Sequence, residues 1–501
     1  MRDQVQLIAY ADRFGGSVRG LADLLEGPLA GLFGGVHLLP FYTPIDGADA
    51  GFDPTDHTEV DPRLGTWEDV AALAGRSEVM ADLIVNHISS ASRQFRDFLA
   101  QGAASPFAGM FLTFDRVFPD GATEDDLLQV YRPRPGLPLT DVTLRGGGRR
   151  IMWTTFTSAQ IDLDVEDPTT EAYLGSVLDR LAAAGVRMVR LDAVGYAVKT
   201  PGTTCFVTEE THRFIERLRS WAARRGMEVL VEIHAHYEQQ VAIAARVDRV
   251  YDFGLAPLVL HGLFTGDAQP LQRWLEIRPT NAVTVLDTHD GIGVRDVGPD
   301  ATDRGRPGLL GEAEIDALVE RIHDNTGGDS RRATGEAASN VDLYQVNSTY
   351  YDALGRDDRA YLLARLLQLF VPGVPQVYYV GLLAGHNDLD LLAATGIGRD
   401  INRHRYAPEE IDRDLARDVV RRQCAAIRFR SAHPAFGGRC THSSSGPGEL
   451  TLGWQHEEHE ATLVADLASR RFSLTFTGAD GRRTVTDLDD LDDLEEGTRR
   501  S

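Results

Sequence analysis

Eight short apolar runs recur along the 501-residue chain, and helical patterns separate most of them. Runs that alternate with helices in this way are typical of an α/β fold with a parallel sheet, because parallel strands need long crossover connections. Eight such units predict a (β/α)8 barrel, with a doubly wound open sheet as the alternative. No GxGxxG motif follows the first run, which argues against the open sheet. The runs are QVQLIAY, GVHLLPFY, VMADLIVNH, GVRMVRLDA, MEVLVEIHA, RVYDFGL, AVTVLDTHD and GVPQVYYVG.

Two long interruptions and a change of pattern near the C-terminus divide the chain. Both interruptions follow strand-like runs, so they would lie on the face of a barrel where active sites form. After Pro434 the runs become short, which predicts a small antiparallel β domain, and the acidic stretch from Asp487 onward suggests a solvated tail. The predicted units are barrel parts at 1–87, 165–290 and 356–434, insertions at 88–164 and 291–355, and a C-terminal domain at 435–501.

Charge and composition argue against several classes of partner and location. The net charge of −24 disfavours nucleic acid and anionic membranes, since both attract basic surfaces. No run approaches the roughly 18 apolar residues of a membrane-spanning helix. Three cysteines do not make a disulfide framework, so we expect a cytoplasmic protein.

Lys199 is the single lysine among 51 basic residues. A P-loop needs a lysine in a glycine-rich loop, and pyridoxal phosphate needs a Schiff-base lysine. Only Lys199 could serve either role, and no GxxxxGK[ST] motif surrounds it. A Schiff-base aldolase that uses Lys199 is one competing class, and a barrel that binds a sugar or a protein without catalysis is another.

Charged residues interrupt the apolar runs near their C-terminal ends. Arg190 and Asp192 are two residues apart, so on a strand they point to the same face. Glu232 ends the next run, and Asp287 and Asp290 end the seventh. Buried charges cost several kcal/mol unless they are paired or used. Carboxylates at the ends of barrel strands are typical of catalysis.

Two carboxylates at close range suit the cleavage of a glycosidic bond, with one as nucleophile and the other as proton donor. Arg190 should favour the ionised form of Asp192, as a nucleophile requires. Glu232 lies on an apolar run with no adjacent cation in sequence, so the role of general acid suits it better.

The same segments carry a family resemblance. DLIVNH, VRLDAVGY, VEIHAH and VLDTHD resemble, in this order, the four signature segments of the α-amylase superfamily. Other segments resemble the sucrose phosphorylase family within it, and the likeness weakens only after about residue 435. These segments are GADAGFDP (47–54), YRPRPGLP (131–138), RLDAVGYAVKTPGTTCF (190–206), TVLDTHDGIGV (284–294), ASNVDLYQVNSTYY (338–351) and GRDINRH (398–404).

The resemblance implies a role for each matching residue. Asp192 would be the nucleophile, Glu232 the general acid/base and Asp290 the stabiliser of the transition state. Glucose hydroxyls would contact Asp49, His87, Arg190, His289 and Arg399, while Phe52 and Phe156 would form an apolar platform. The acceptor side would include Arg134, Gln160, Tyr196, Asp342, Tyr344 and Gln345.

Metal ions and cofactors are not expected. His234 and His236 alternate with Glu232, but no third ligand has metal-ligand spacing. We therefore expect His234 to bind substrate through hydrogen bonds. Many amylases bind calcium at the DxxxNH segment, whereas the family that this chain resembles does not need the ion.

The reaction implied by the resemblance is the reversible phosphorolysis of sucrose by inorganic phosphate to α-D-glucose 1-phosphate and D-fructose. It would retain configuration through a β-glucosyl intermediate on Asp192. Alternatives are phosphorylases of sucrose 6′-phosphate, glucosylglycerol or glucosylglycerate, and a sucrose hydrolase or transglucosidase; DLYQ (342–345) resembles the sucrose type. Phosphate needs a local cation, for which Arg134 is the candidate. A homodimer would follow from analogy alone.

Overall fold

The computed structural model describes residues 3–47, 49–134, 136–300, 303, 305–335 and 345–494. Its centre is a closed barrel of eight parallel strands, so the predicted barrel is confirmed and the open sheet is wrong. Each apolar run supplies one strand, and strands adjacent in the barrel follow one another along the chain. The strands are β1 (Gln6–Ala9), β2 (Gly35–Leu38), β3 (Glu78–Ile84), β4 (Met188–Asp192), β5 (Glu228–Val231), β6 (Arg249–Asp252), β7 (Ala282–Thr284) and β8 (Val374–Tyr378).

Strand β4 shows how the sequence pattern produces the barrel. All of its residues are buried, and it pairs in parallel with β3 on one side and β5 on the other. Val189 and Leu191 alternate with Arg190 and Asp192, so the apolar and charged side chains point to opposite faces of the sheet. The register places Arg190 opposite Asp82 of β3, where the two form an ion pair.

Helices connect the barrel strands, and their ends follow the expected capping rules. Asp167 caps the helix Pro168–Ala183 by accepting from the backbone of Thr169, and Gly185 follows the helix with a φ of 82°. Glycine adopts this left-handed conformation without strain and so suits the position directly after the helix. The connecting helices are Val18–Glu26, Trp67–Ala74, Pro168–Ala183, Glu209–Ala223, Tyr237–Ala244, Leu255–Thr265, Gln269–Ile277, Asp358–Phe370 and Asp418–Ala432.

The first insertion follows β3 and returns to the chain beside it. Its last strand, Gln160–Asp162, pairs antiparallel with His87–Ser89, which directly follows β3. This pairing brings the end of the insertion next to the barrel. Between these strands lie the helices Arg93–Gln101, Phe114–Val117 and Glu124–Gln129 and the hairpin Leu139–Leu144 with Gly148–Trp153.

Three further excursions carry predicted site residues. The excursion after β2 is closed by pairing of Tyr42–Thr43 with Asp56–Val60, and the one after β7 by pairing of Ile292–Gly293 with Gln345–Val346. The excursion after β8 includes the 3-10 helix Gly398–Asn402. The remaining helices of the last two excursions are Glu312–Asn325, Asp329–Thr334, Tyr350–Ala353, Tyr379–Leu382, Leu389–Thr395 and Pro408–Leu415.

The C-terminal part is a five-stranded antiparallel sheet, as predicted. The indole of Trp454 donates to the backbone oxygen of Phe370 at 2.7 Å, which attaches the sheet to a barrel helix. The expected solvated tail is wrong for the residues described, because Leu488, Leu491 and Leu494 are buried. The strands are Arg439–Ser443, Glu449–His456, His459–Asp466, Arg471–Gly478 and Gly481–Val485.

Within the described ranges, no helix has both the length and the apolar character required to span a bilayer. The domain boundaries proposed from the sequence stay predictions.

Candidate active site

A cavity opens where the barrel strands end. Its wall combines aromatic rings with convergent charged and polar groups, as is typical of sites that bind small molecules. Asp192 ends β4, Glu232 directly follows β5 and Asp290 lies beyond β7, so the three carboxylates meet in one cavity. The predicted site residues that line it are Asp49, Phe52, His87, Phe156, Asp192, Tyr196, Glu232, His234, His289, Asp290, Gln345 and Arg399.

Arg190 is only 2% exposed and joins three of the carboxylates near the cavity. Its Nη1 donates to Oδ1 of Asp192 and to Oδ1 of Asp82, both at 2.7 Å. Its Nη2 lies 3.7 Å from Oε1 of Glu232. The cation and carboxylate that share a face of β4 are therefore the centre of a buried network that holds Asp192 and Glu232 together.

The pKa of Asp192 is raised well above its ordinary value. Burial is the main cause, and the charges of Glu232 and Asp82 add to it, while Arg190 lowers the pKa. Arg190 therefore acts in the direction expected from the sequence, but its effect does not outweigh burial and the neighbouring carboxylates. Carboxylates coupled in this way take up and release protons as a group.

Glu232 is held from both sides of its carboxylate. Oε2 accepts the backbone N–H of Ala193 at 3.0 Å, and Oε1 lies 3.8 Å from Nε2 of His234. Ala193 has a φ of 52°, which is uncommon for a residue other than glycine and turns the chain directly after β4. Arg190 approaches Glu232 from the neighbouring strand, a cation that the linear sequence around Glu232 does not reveal.

Asp290 has the opposite electrostatic environment from Asp192. Its Oδ1 lies 2.8 Å from Nη1 of Arg399, and its Oδ2 lies 3.4 Å from Nε2 of His289. Burial alone would raise the pKa of Asp290, but Arg399 and the other nearby cations hold it far below its usual value. Burial also lowers the pKa of His289 to about 3, so this ring is neutral at pH 7. The environments thus shift the pKa values of Asp192 and Asp290 in opposite directions.

Aromatic rings form an apolar wall of the cavity. The ring of Phe52 stacks on His289, with centroids 4.7 Å apart and planes 8° from parallel. Phe156 meets His87 and Tyr196 edge to face, each at 5.4 Å. Aromatic faces of this kind suit the C–H surface of a sugar ring. The predicted platform residues are therefore brought together in the cavity.

Polar contacts hold the side chains that are predicted to bind glucose hydroxyls. His87 Nε2 lies 2.8 Å from the backbone oxygen of Phe52 and 3.0 Å from Nε2 of Gln160. Gln160 does not line the cavity but is buried directly behind His87. Asp49 lies 4.0 Å from Nη1 of Arg399. The charges of Arg399 and of other nearby guanidinium groups lower the pKa of Asp49, although burial acts to raise it.

Two other predicted groups lie outside the cavity wall. Arg190 is buried and does not line the cavity. Arg134 follows Pro133, which lines the cavity, and the charge of Arg134 acts on Asp49. Asp342 and Tyr344 lie outside the described residues.

Several residues of the site were missed by the sequence analysis. Asp82 and Asp296 are buried carboxylates that hold Arg190 and His234, and Arg403 contacts Asp49 at 3.8 Å. Asp82 begins the segment DLIVNH, so a charge within an apolar strand was a usable signal. The others depend on contacts between distant parts of the chain. The further lining residues are Pro133, Ala193, Gly195, Phe206 and Ile233.

Lys199 has a structural environment rather than a catalytic one. Its Nζ lies 2.8 Å from Asp162, and its side chain is 3% exposed. It does not line the cavity. An ammonium paired with a buried carboxylate is not a free amine nucleophile, so the geometry does not support the Schiff-base alternative.

Glu232, His234 and Asp290 have the donor types of a metal site, and their ligand atoms lie within 4.8 Å of one another. Asp290 supplies the third donor of this cluster, which spacing along the sequence did not reveal. His236 is not part of the cluster, and its Nε2 lies 3.1 Å from the backbone oxygen of Pro307. Arg399 already neutralises Asp290 at 2.8 Å, and its positive charge would repel a metal cation. This donor set fits sugar chemistry better than metal binding.

Comparison with known proteins agrees with this geometry. Residues 15–245 match the model of the α-amylase catalytic domain. A sucrose phosphorylase from Agrobacterium vitis is 58% identical, over 95% of this chain and 98% of the relative. One from Bifidobacterium adolescentis is 53% identical, over 93% of this chain and 92% of the relative.

A solved structure resembles the whole chain. The sucrose 6F-phosphate phosphorylase from Thermoanaerobacter thermosaccharolyticum superposes with a TM-score of 0.90 at 36% identity, covering 97% of this chain and 98% of that one. With this likeness in fold and the identity to relatives over almost the full length, the chain belongs to the sucrose phosphorylase family of the α-amylase superfamily.

Proposed function

We propose that this chain is a sucrose phosphorylase that transfers a glucosyl group between fructose and inorganic phosphate with retention of configuration. The relatives named for this activity support the choice of substrate. The observation that carries the proposed chemistry is the guanidinium of Arg190, which contacts both Asp192 and Glu232. A nucleophile and a proton donor held on one cation suit a double displacement.

In the first half-reaction, an Asp192 oxygen attacks the anomeric carbon of the glucosyl group. The bond from that carbon to the fructosyl oxygen breaks, and Glu232 gives its proton to this oxygen. Free fructose and a β-glucosyl ester of Asp192 result. Arg190 donates to Asp192 at 2.7 Å, and its charge favours the ionised form of the attacking carboxylate.

In the second half-reaction, a phosphate oxygen attacks the anomeric carbon and Asp192 leaves as a carboxylate. Glu232 takes up the proton of the attacking hydroxyl and returns to its starting form. Two inversions give α-glucose 1-phosphate, so configuration is retained. Asp290, which stays ionised, would stabilise the positive charge that develops at the sugar in both transition states.

The other predicted residues would hold the two substrates. Asp49, His87, His289 and Arg399 would bind glucose hydroxyls, and Phe52 with Phe156 would contact the apolar ring face. Tyr196, His234, Gln345, Gln160 and Arg134, with Asp342 and Tyr344, would serve the acceptor side. A homodimer and a cytoplasmic location stay predictions.

Phosphorolysis of sucrose 6′-phosphate is the second candidate, because the solved structure at TM-score 0.90 is named for that activity. Product analysis with each donor, with and without phosphate, separates the candidates. We expect glucose 1-phosphate from sucrose only when phosphate is present. Free glucose at equal rates in both conditions would indicate a hydrolase, and turnover of the phosphorylated donor alone would indicate the second candidate.

A further inference from the structure

Asp296 is a buried carboxylate that the proposed reaction does not use. It lies in the second insertion and is 2% exposed. Its Oδ1 accepts from Nε2 of Gln240 at 2.9 Å, and its Oδ2 lies 3.1 Å from Nδ1 of His234. Within the described part of the chain, His234 is the only basic side chain at ion-pair distance from it. A buried carboxylate needs a partner of opposite charge.

The ring of His234 is fixed so that one nitrogen faces the cavity. One face stacks on Phe253, with centroids 3.8 Å apart, and Nδ1 faces Asp296. Nε2 lies 3.8 Å from Glu232 Oε1 on the acceptor side of the site. Gly293 packs against the pair, since a Cβ there would lie 2.4 Å from Asp296 Oδ2. The absence of a side chain at Gly293 therefore leaves room for the contact between Asp296 and His234.

The side chain of Gln345 gives a second, independent sign of the charge on His234. Its Nε2 lies 3.2 Å from His234 Nε2, whereas its Oε1 is buried and has no hydrogen-bond partner among the described residues. The oxygen and nitrogen of an amide are assigned from their surroundings. Rotation of this amide by 180° lets Oε1 accept a hydrogen bond from Nε2–H of His234. A doubly protonated His234 can then donate to Gln345 and to Asp296 together.

We propose that Asp296 is a positioning residue that keeps His234 as an imidazolium, and that this cation binds the phosphate that attacks the glucosyl intermediate. The inference rests on the proposed function and deepens it. Phosphate is repelled by the carboxylates of the site, and the single lysine is paired with Asp162 away from the cavity. A fixed cation attracts phosphate more strongly than it attracts water, which is neutral.

The charged groups around His234 agree with this assignment. Asp296 faces it from the second insertion, Glu232 from its own segment and Asp290 from the end of β7. The guanidinium groups nearby contact these carboxylates, Arg190 at Glu232 and Arg399 at Asp290. Burial lowers the pKa of His234, but the three carboxylates outweigh burial and raise it. The imidazolium is thus present below this raised pKa and is lost as pH rises through it.

The direct test is the titration of His234 by NMR in the full-length protein without substrate, with its signals assigned by comparison with His234→Gln. We expect a pKa above the ordinary histidine value of about 6.5, and a lower pKa in Asp296→Asn. An imidazole that is already neutral at pH 6.5 in the native protein overturns the proposal. This measurement needs no turnover, so it stands even if the proposed function fails.

The kinetic test uses Asp296→Asn, with Asp300→Asn as the matched control. Asp300 is a buried acid of the same insertion, but it lies 3.5 Å from Arg306. Loss of a charge-assisted contact should raise the phosphate KM of Asp296→Asn about tenfold, with the sucrose KM nearly unchanged. The ratio of variant to native phosphate kcat/KM should return toward one at high pH, where His234 is neutral in both proteins. Equal phosphate KM in Asp296→Asn and the native enzyme, or a tenfold rise in both variants, overturns the assignment.

Discussion

The proposed glucose side and the proposed acceptor side of the cavity differ in where their residues lie in the fold. On the glucose side, Asp192 lies on β4 and is hydrogen-bonded to buried Arg190 at 2.7 Å, and Asp290 is held by Arg399 at 2.8 Å. On the acceptor side, Tyr196 and His234 lie in the segments directly after β4 and β5, and Gln345 lies in the short strand that closes the excursion after β7. The charges proposed for the covalent chemistry are thus centred on a barrel strand, whereas the residues proposed to meet the acceptor lie in segments that follow the strands.

This difference predicts that glucosyl transfer and acceptor choice are encoded by separate sets of residues. Substitutions on the glucose side should stop both half-reactions. Substitutions on the acceptor side should leave the intermediate accessible and change which acceptor takes the sugar.

Asp192→Ala should reduce turnover by roughly 10⁴-fold or more, because the covalent route is removed. Arg190 keeps Asp82 and Glu232 as partners, so the fold should survive, and thermal unfolding checks this. Mass spectrometry of the native enzyme, quenched with a slow fluorinated glucosyl donor, should locate the adduct on Asp192. An adduct on any other residue would contradict the assignment.

Glu232→Gln should lower the rate with sucrose by about 10²–10⁴-fold, the usual worth of general acid catalysis. Glucosyl fluoride needs less protonation of its leaving group, so glucosylation from it should survive better. Parallel rate measurements with the two donors test this difference. If both donors lose activity to the same extent, Glu232 is not the proton donor.

Arg134→Ala should raise the phosphate KM by about 10–100-fold, since one charge-assisted contact is lost. The product should also shift from glucose 1-phosphate toward free glucose, because water then competes better for the intermediate. Chromatography of the products at several phosphate concentrations measures both effects. A native product ratio would place the phosphate site elsewhere and would leave His234 as its main cation.

Asp287→Asn should change activity least, although Asp287 also follows β7. Its carboxylate lies 3.3 Å from buried Arg365 and does not line the active-site cavity. Removing one partner of a buried ion pair costs about 3–5 kcal/mol of folding stability. We expect a clear loss in denaturant unfolding with kcat per folded molecule nearly unchanged. Asp141→Asn, which breaks an exposed pair with Arg149, is the control and should leave the midpoint unchanged. A large loss of kcat in Asp287→Asn would remove the distinction between the two strand-end acids.

The fold and the carboxylates near the strand ends could be predicted because both follow from local pattern, whereas the other site residues were expected from the family resemblance. Barrel strands are buried on both faces and so read as continuous apolar runs. Charges at the ends of such runs, as at Asp192 and Asp290, were visible as exceptions to that pattern. The C-terminal tail shows the limit of a local argument, since its acidic composition suggested solvation. Leu488, Leu491 and Leu494 recur every third residue and are buried, while Asp489 and Asp492 pair with arginines of the helix Asp418–Ala432.

By itself, the sequence determined the eight barrel strands and which carboxylates stand at their ends. Only the tertiary structure decided how those groups are charged. Arg190 is shared between neighbouring strands, so the pKa of Asp192 rises although its nearest charged neighbour in sequence is a cation. Asp296 meets His234 across 62 positions of sequence. Burial and Coulomb energy depend on distance in space and on the exclusion of water, and neither quantity can be read from spacing along the chain.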